Sequence, residues 1–264
     1  MNAHQHKPPH PQPLPISKNE MERGVETIDW SPDSIKQVST TLEGSSPESI
    51  LRWGFENFAP SIVLATGFGP EGIVLMHLVS QIRPETTVFY LDTDLLFSQT
   101  YELRDELVKK LGIRFERVHS GISLPEQALR HGDTLWAKDP DTCCHIRKVI
   151  PQRQFLAGYG AWITGIRRDQ TAFRGNTGLI EWDYANKMVK LNPLAAWTSD
   201  QVWEHIRAND LPYNPLHEYG YPSIGCWTCT KQVAQGGDPR SGRWAGQAKD
   251  ECGIHLPTIK TGKA

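Results

Sequence analysis

The stretch SIVLATGFGPEG, residues 61–72, decides the fold: a short apolar run, a loop with three glycines, then the helical sequence IVLMHLVSQI at 73–82. An apolar run of this length bounded by glycine reads as a buried strand. Working outward, TTVFYLDTD (86–94) is a second strand, rich in β-branched and aromatic residues. Residues 98–111 form the clearest helix, with Leu103, Leu107 and Leu111 as its apolar stripe. Asp105 with Lys109 and Glu106 with Lys110 have the spacing of ion pairs on its outer face, and Gly112 stops it. RFERVHS (114–120) and AWITGI (161–166) are further strands, and MVKLNPLAAW (188–197) is a weaker one because Pro193 interrupts it. A helix at 199–209 opens with the capping-box pattern Thr198-x-x-Gln201, and residues 29–58 read as an amphipathic helical entry. Strands alternating with helices predict an α/β fold, a mostly parallel twisted sheet with helices on both faces. From about residue 211 onward cysteine, glycine and tryptophan punctuate the chain and regular structure fades.

A chain of 264 residues, 38% of them hydrophobic, is long enough for one sizeable core. No run of eighteen apolar residues occurs and the first residues do not read as a secretory signal, so a cytoplasmic protein is expected. Residues 1–28, rich in Pro and His with His4, His6 and His10, read as a disordered solvated tail. A net charge of −2 gives no general attraction to nucleic acid or membrane.

Open parallel sheets bind ligands at the carboxyl ends of their strands. Here those ends are GFGPEG, LDTD (91–94) and GIRRDQTAFR (165–174). The first leads into a helix N-terminus, which suits a phosphate or sulfate, although it matches neither a Walker loop nor a dinucleotide fingerprint and equally describes a structural turn. Asp92 has the chemistry to hold a ribose or an adenine amine; the alternative is that Asp92 and Asp94 cap the helix near 98. Arg167, Arg168 and Arg174 put three guanidinium forks on one loop, as planar oxyanions require.

Five cysteines, an odd number, argue against a disulfide framework. Cys226 and Cys229 have ordinary C-x-x-C ligand spacing, but the adjacent pair Cys143 and Cys144 is awkward for tetrahedral zinc. Neighbouring helical side chains diverge by about 100°, which favours two different irons of a cluster over one zinc ion. Arg147 and Lys148 follow the pair at helical spacing and give it a basic edge, unless they are solvated charges where Pro151 kinks or stops the helix. Cys252, in KDECGIHLP, is left over. Lys249, His255, Arg240 and Arg243 are the cations available to lower its pKa, although a lone cysteine near a C-terminus is by itself more often inert.

Together these residues resemble the assimilatory adenylyl-sulfate (APS) reductases, relatives of the 3′-phosphoadenylyl-sulfate (PAPS) reductases, over about residues 50–257. The resemblance rests on Cys143-Cys144-x-x-Arg147-Lys148, Gly225-Cys226-x-x-Cys229 and Glu251-Cys252-Gly253-x-His255, supported by GIRRDQ and PYNPLHEYGYPSIGC. It implies an adenine-nucleotide alpha-hydrolase-like fold, with a nucleotide-binding reductase domain over 29–246 and a mobile C-terminal segment, 247–264, that carries the nucleophile. It also implies a 4Fe–4S cluster on Cys143, Cys144, Cys226 and Cys229. Cys252 would attack the sulfate sulfur to form an S-sulfocysteine, from which thioredoxin or a similar dithiol releases sulfite. Thr66, Gly67, Gly69, Asp92, Thr93, Lys148, Gly165, Arg167, Arg174, Arg240, Arg243 and His255 fall where such enzymes hold the nucleotide and its phosphosulfate. Asp94 stands in place of a usual glycine, and Trp227-Thr228 fills the C-x-x-C interior where proline is frequent. The alternatives are a PAPS reductase, an ATP pyrophosphatase or adenylyltransferase of similar fold, whose Ser-Gly-Gly-x-Asp-Ser-like loop Thr66–Glu71 does not match, and a zinc-stabilised nucleotide-binding or redox-sensing module.

Overall fold

The computed structural model describes residues 30–249 and 251–255. The expected tail over 1–28 lies outside the described residues. The helical entry is two helices, α1 (Pro32–Thr41) and α2 (Pro47–Phe58), each opened by a serine N-cap, Ser31 and Ser46, followed by proline. Proline has no N–H to donate and so can begin the second helix but not continue the first.

Then follow β1 (Ile62–Thr66), α3 (Pro70–Ile82), β2 (Val88–Asp92), α4 (Ser98–Leu111), β3 (Phe115–His119) and α5 (Leu124–His131). The chain continues through the short helices α6 (Leu135–Lys138) and α7 (Pro140–Cys144) to α8 (Ile150–Leu156), and then to β4 (Ala161–Ile163), β5 (Ile180–Asp183), β6 (Met188–Leu191) and α9 (Ser199–Ala208). On α4, Leu103 and Leu107 are buried and Gly112 closes the helix at φ 67°. Its charges pair differently from the expected spacing: Lys110 reaches Asp210 at 2.9 Å and Asp105 holds Arg104. Carboxylates outside the i,i+4 frame lie closer, and solvated side chains follow the nearest partner.

The sheet order is β3-β2-β1-β4-β6-β5. Pairing is parallel from β3 through β6, with Val63 opposite Trp162 and Leu64 opposite Val88; β5 runs antiparallel to β6 at the edge. Val63, Phe89, Val118, Leu156, Trp162 and Met188 form a core cluster, each side chain contributing on the order of 1.5–3 kcal/mol by burial. The chain steps outward from β1 to β3 and then returns to β4 on the other side of β1. The order therefore reverses between β1 and β4, where an open parallel sheet forms its ligand crevice.

Between α7 and α8 the helix does not end at Pro151. Residues His145–Val149 form a widened π turn, in which the Ile150 N–H donates to the His145 carbonyl, and the helix runs on through Pro151. The wider turn relieves the missing donor and ring clash that would otherwise break the helix. It lies immediately after the cysteine pair and carries Arg147 and Lys148.

Candidate functional site

At the reversal point the loops after β1 and β4 are joined side by side. Gly165 sits where a Cβ would meet the Glu71 Cβ at 2.8 Å and the Gly72 nitrogen at 3.4 Å, so only glycine permits this approach. Glu71, in the first turn of α3, accepts from Arg167 and, at 3.0 Å, from Gln170. Arg167 also donates to Asp169 at 2.9 Å. Its fork thus braces the two loops together. The buried Thr66 Oγ1 accepts the Phe68 N–H at 3.0 Å, and Phe68, held at φ 59°, packs its ring on Tyr90 and Phe115. Nothing lies within 4 Å of where a Gly67 Cβ would stand, and the α3 N-terminus at Gly69 has no side-chain cap. These are the conditions for a bound anion to reach the loop.

A second group of cations comes from the loops farther along. Buried Arg174 holds Glu251 through two parallel bonds, Nε to Oε1 at 2.9 Å and Nη2 to Oε2 at 2.8 Å, and Arg240 approaches the same carboxylate at 3.5 Å. Arg240 is lowered from its usual pKa by burial and by Arg174 and Arg243, with Glu251 and Cys252 opposing. Arg243 stacks on Trp244 at 4.6 Å and fills the space a Gly225 side chain would need. Its Nη1 makes only long contacts to Ser223 and Ile224, and among the described residues no carboxylate pairs with it.

The four paired cysteines line one pocket together with Thr93, Arg147 and Lys148. All four are free thiols, with Cys143, Cys144 and Cys226 buried. Burial, and then the neighbouring cysteines, push the Cys143 thiol up to about 12. Burial likewise pushes Cys144 up to about 11, although Lys148 opposes it. Burial would raise Cys226 too, but Lys148, the Thr93 hydroxyl at 3.2 Å and Arg243 overcome it and lower its pKa. Lys148 is raised, because Cys226, Cys252 and Cys144 outweigh its own burial. Lys148 is therefore the charge shared by the cysteine pocket and Cys252, and Arg240 extends the same field to Glu251.

One buried donor of the pocket lining, Arg147 Nη2, has no partner. Buried polar atoms left unpaired mark a place where a further acceptor belongs. Cys143, Cys144, Cys226 and Cys229 are the residues able to hold a thiolate-ligated group there. Among the described residues, no three His, Cys, Asp or Glu side chains converge as a single metal ion requires.

LDTD divides between these settings. Thr93 belongs to the cysteine pocket. Asp92 is buried and already accepts from Tyr101 at 2.7 Å, Arg117 at 2.6 Å and the Asp94 N–H at 3.0 Å. Burial alone would raise its pKa, but these hydrogen bonds lower it. Neither aspartate caps α4, whose N-cap is Phe97. His255 stacks on Trp162 at 5.6 Å. Burial, then Lys190, Arg174 and Arg240, hold its pKa well below the usual histidine range, so it is neutral and adds no positive field at Cys252. Sequence reasoning left Glu71, Glu251 and Trp244 without roles: Glu251 entered only as part of a motif, and the partners of the two acids, Arg167 and Arg174, lie far away in the chain.

A family model described as the phosphoadenosine phosphosulfate reductase domain matches residues 61–232. An adenosine 5′-phosphosulfate reductase of Salinibacter ruber is 48% identical over 86% of this chain and 90% of that protein. A phosphoadenosine 5′-phosphosulfate reductase of Gloeobacter violaceus is 44% identical over 84% of this chain and 93% of its own. Among solved structures, the phosphoadenylyl-sulfate reductase of Candida auris in a phosphate complex superposes with a TM-score of 0.68 at 32% identity, covering 78% of this chain and 99% of that one.

Proposed function

From the premise that this chain belongs to the phosphoadenosine phosphosulfate reductase family, we propose that it reduces adenylyl sulfate to sulfite and AMP in assimilatory sulfate reduction, with thioredoxin or a similar dithiol as reductant. It is an oxidoreductase acting on a sulfur group. The observation that carries the mechanism is geometric: Arg174 and Arg240 converge on Glu251, the residue next to Cys252, and Lys148 lines the pocket of the other four cysteines.

In the first step the Cys252 thiolate attacks the sulfate sulfur. A sulfur–sulfur bond forms, the bond from sulfur to the bridging oxygen breaks, and AMP leaves with that electron pair. In this reading Arg174, Arg240, Arg243 and Lys148 hold the phosphosulfate and the charge developing on the departing phosphate. Thr66, Gly67, Gly69 and Gly165 shape the crevice for the rest of the nucleotide. In the second step a thiolate of the reductant attacks Cys252 Sγ and sulfite departs with the bonding pair. The reductant's second thiol then resolves the mixed disulfide, so both electrons come from the dithiol. Splitting the reduction into two displacements is what a covalent nucleophile contributes.

Cys143, Cys144, Cys226 and Cys229 would hold a 4Fe–4S cluster. The donor set suits such a group, since four cysteine sulfurs line one pocket together with Arg147 and Lys148. The unpaired Arg147 Nη2 in the lining suits a sulfur acceptor. When bound, the cluster supplies local electrostatics beside Lys148, not substrate electrons. No helix among the described residues is long and apolar enough to cross a membrane, and five unpaired cysteines suit a reducing, cytoplasmic site of action.

The test is sulfite release by anaerobically purified protein with thioredoxin, comparing adenylyl sulfate with its 3′-phosphorylated form. Fast release from the unphosphorylated nucleotide, lost at least a thousandfold in Cys252→Ser, is expected. The name of the Gloeobacter relative makes the phosphorylated substrate the second reading, and release from that form alone would establish it.

A further inference from the structure

The carboxylate of Glu251 occupies the guanidiniums assigned to the substrate. It is buried, its two oxygens take both donors of the Arg174 fork at 2.9 and 2.8 Å, and Arg240 lies 3.5 Å from the second oxygen. Among the described residues, no other carboxylate pairs with Arg174. Arg174 is held from behind by Gln170, which in turn binds Glu71, so the fork faces Glu251 from a fixed platform. Glu251 is also the residue before the nucleophile, and adjacent Cα atoms are about 3.8 Å apart. Whatever anchors or frees Glu251 therefore anchors or frees Cys252.

We propose that Glu251 is a resident substitute for the substrate's anion: it occupies Arg174 and Arg240 before substrate arrives, holds the Cys252 segment in place, and is displaced when the phosphosulfate binds. The chemistry favours an exchange over shared occupancy. A carboxylate edge and a sulfate or phosphate edge present the same pair of oxygens to a guanidinium fork, and one set of N–H groups cannot serve two anions. Burial that makes these bonds strong also makes an uncompensated Arg174 costly, so the carboxylate keeps the site from standing as bare positive charge. Binding and repositioning of the nucleophile then become one event. The cost is weakened apparent affinity, because substrate must compete with a ligand tethered to the protein itself.

This inference rests on the reading of Arg174 and Arg240 as phosphosulfate ligands, and two measurements separate it from that reading. The first is calorimetric binding of adenylyl sulfate to the full-length holoenzyme carrying Cys252→Ser, with and without Glu251→Gln. The isosteric glutamine keeps the shape and removes the charge; binding about tenfold tighter is expected. Unchanged or weaker binding would overturn the proposal. The second is the rate of Cys252 alkylation by iodoacetamide without nucleotide, read on its own peptide by mass spectrometry. Glu251→Gln should speed it several-fold by freeing the segment, and an unchanged rate would overturn the anchoring role. Failure of the Cys252→Ser parent to bind adenylyl sulfate would defeat the functional reading instead, while the alkylation rates would still decide the role of Glu251.

Discussion

Asp94 and Arg147, 53 positions apart in the chain, meet at 3.0 Å. Asp94 takes φ 57°, the left-handed region that favours glycine. What the aspartate contributes is its carboxylate, one oxygen of which accepts from Arg147 and the other from Arg117. Arg147 also donates to the Thr93 carbonyl and to Gln127, and its last nitrogen stands unpaired beside the cysteine pocket. The loop after β2 thus holds the π turn that carries Lys148.

Asp94→Asn keeps a residue tolerant of left-handed backbone and removes only the charge. Because Arg147 is 1% exposed, losing this partner is expected to cost about 1–3 kcal/mol, read as a lower urea midpoint in anaerobic unfolding. An unchanged midpoint would mean that Thr93 and Gln127 suffice to hold the guanidinium.

Metal analysis of anaerobically prepared protein should give about four irons with matching sulfide per chain. Cys143→Ser or Cys226→Ser should lower both together with the visible absorption of the cluster. One zinc per chain, with no sulfide, would return the four cysteines to a structural role.

Lys148→Ala should weaken adenylyl sulfate binding about tenfold in the Cys252→Ser background, as expected for loss of one charge-assisted contact. Iron content should be retained, since Lys148 supplies no ligand atom. An affinity equal to the parent's would limit Lys148 to balancing the thiolates around it.

His217 packs edge-on against Trp203 at 5.2 Å, and its Nε2 is buried without a partner. Burial lowers its pKa from 6.5 to about 4. Between those values the unfolded chain binds a proton that the folded chain refuses. Stability from this group is therefore full above about pH 6.5 and is lost as pH falls toward 4, by on the order of 2–3 kcal/mol. The urea midpoint of His217→Gln should fall less than that of the parent between pH 7.5 and pH 5. Parallel losses would assign the acid sensitivity to other groups.

Much of this molecule is legible in the residues alone. Strands and helices alternate visibly because buried parallel strands are continuous apolar runs and their covering helices repeat at 3.6 residues. The family motifs are equally local: a cysteine pair, a C-x-x-C and a cysteine flanked by acid and glycine each sit within a few positions. β5 escaped notice because it is a four-residue edge strand, half-buried at Glu181, Trp182 and Asp183 and without a continuous apolar run. Helix continuity through Pro151 escaped as well, since local propensity argues for a break and only the π turn removes the conflict.

By itself, then, the sequence determined the fold class and the family, both consequences of periodicity and residue type over short spans. The tertiary structure alone decided which charges face one another. It turned Asp92 toward Tyr101 and Arg117, bound Arg167 to Glu71, made Lys148 common to the cysteine pocket and Cys252, and set Glu251 on Arg174. A charged side chain's partner is the nearest opposite charge in space. Where the partners are as far apart as the 25 residues between Asp92 and Arg117 or the 96 between Glu71 and Arg167, that neighbour is chosen by how the strands order and cross, not by anything written beside it in the chain.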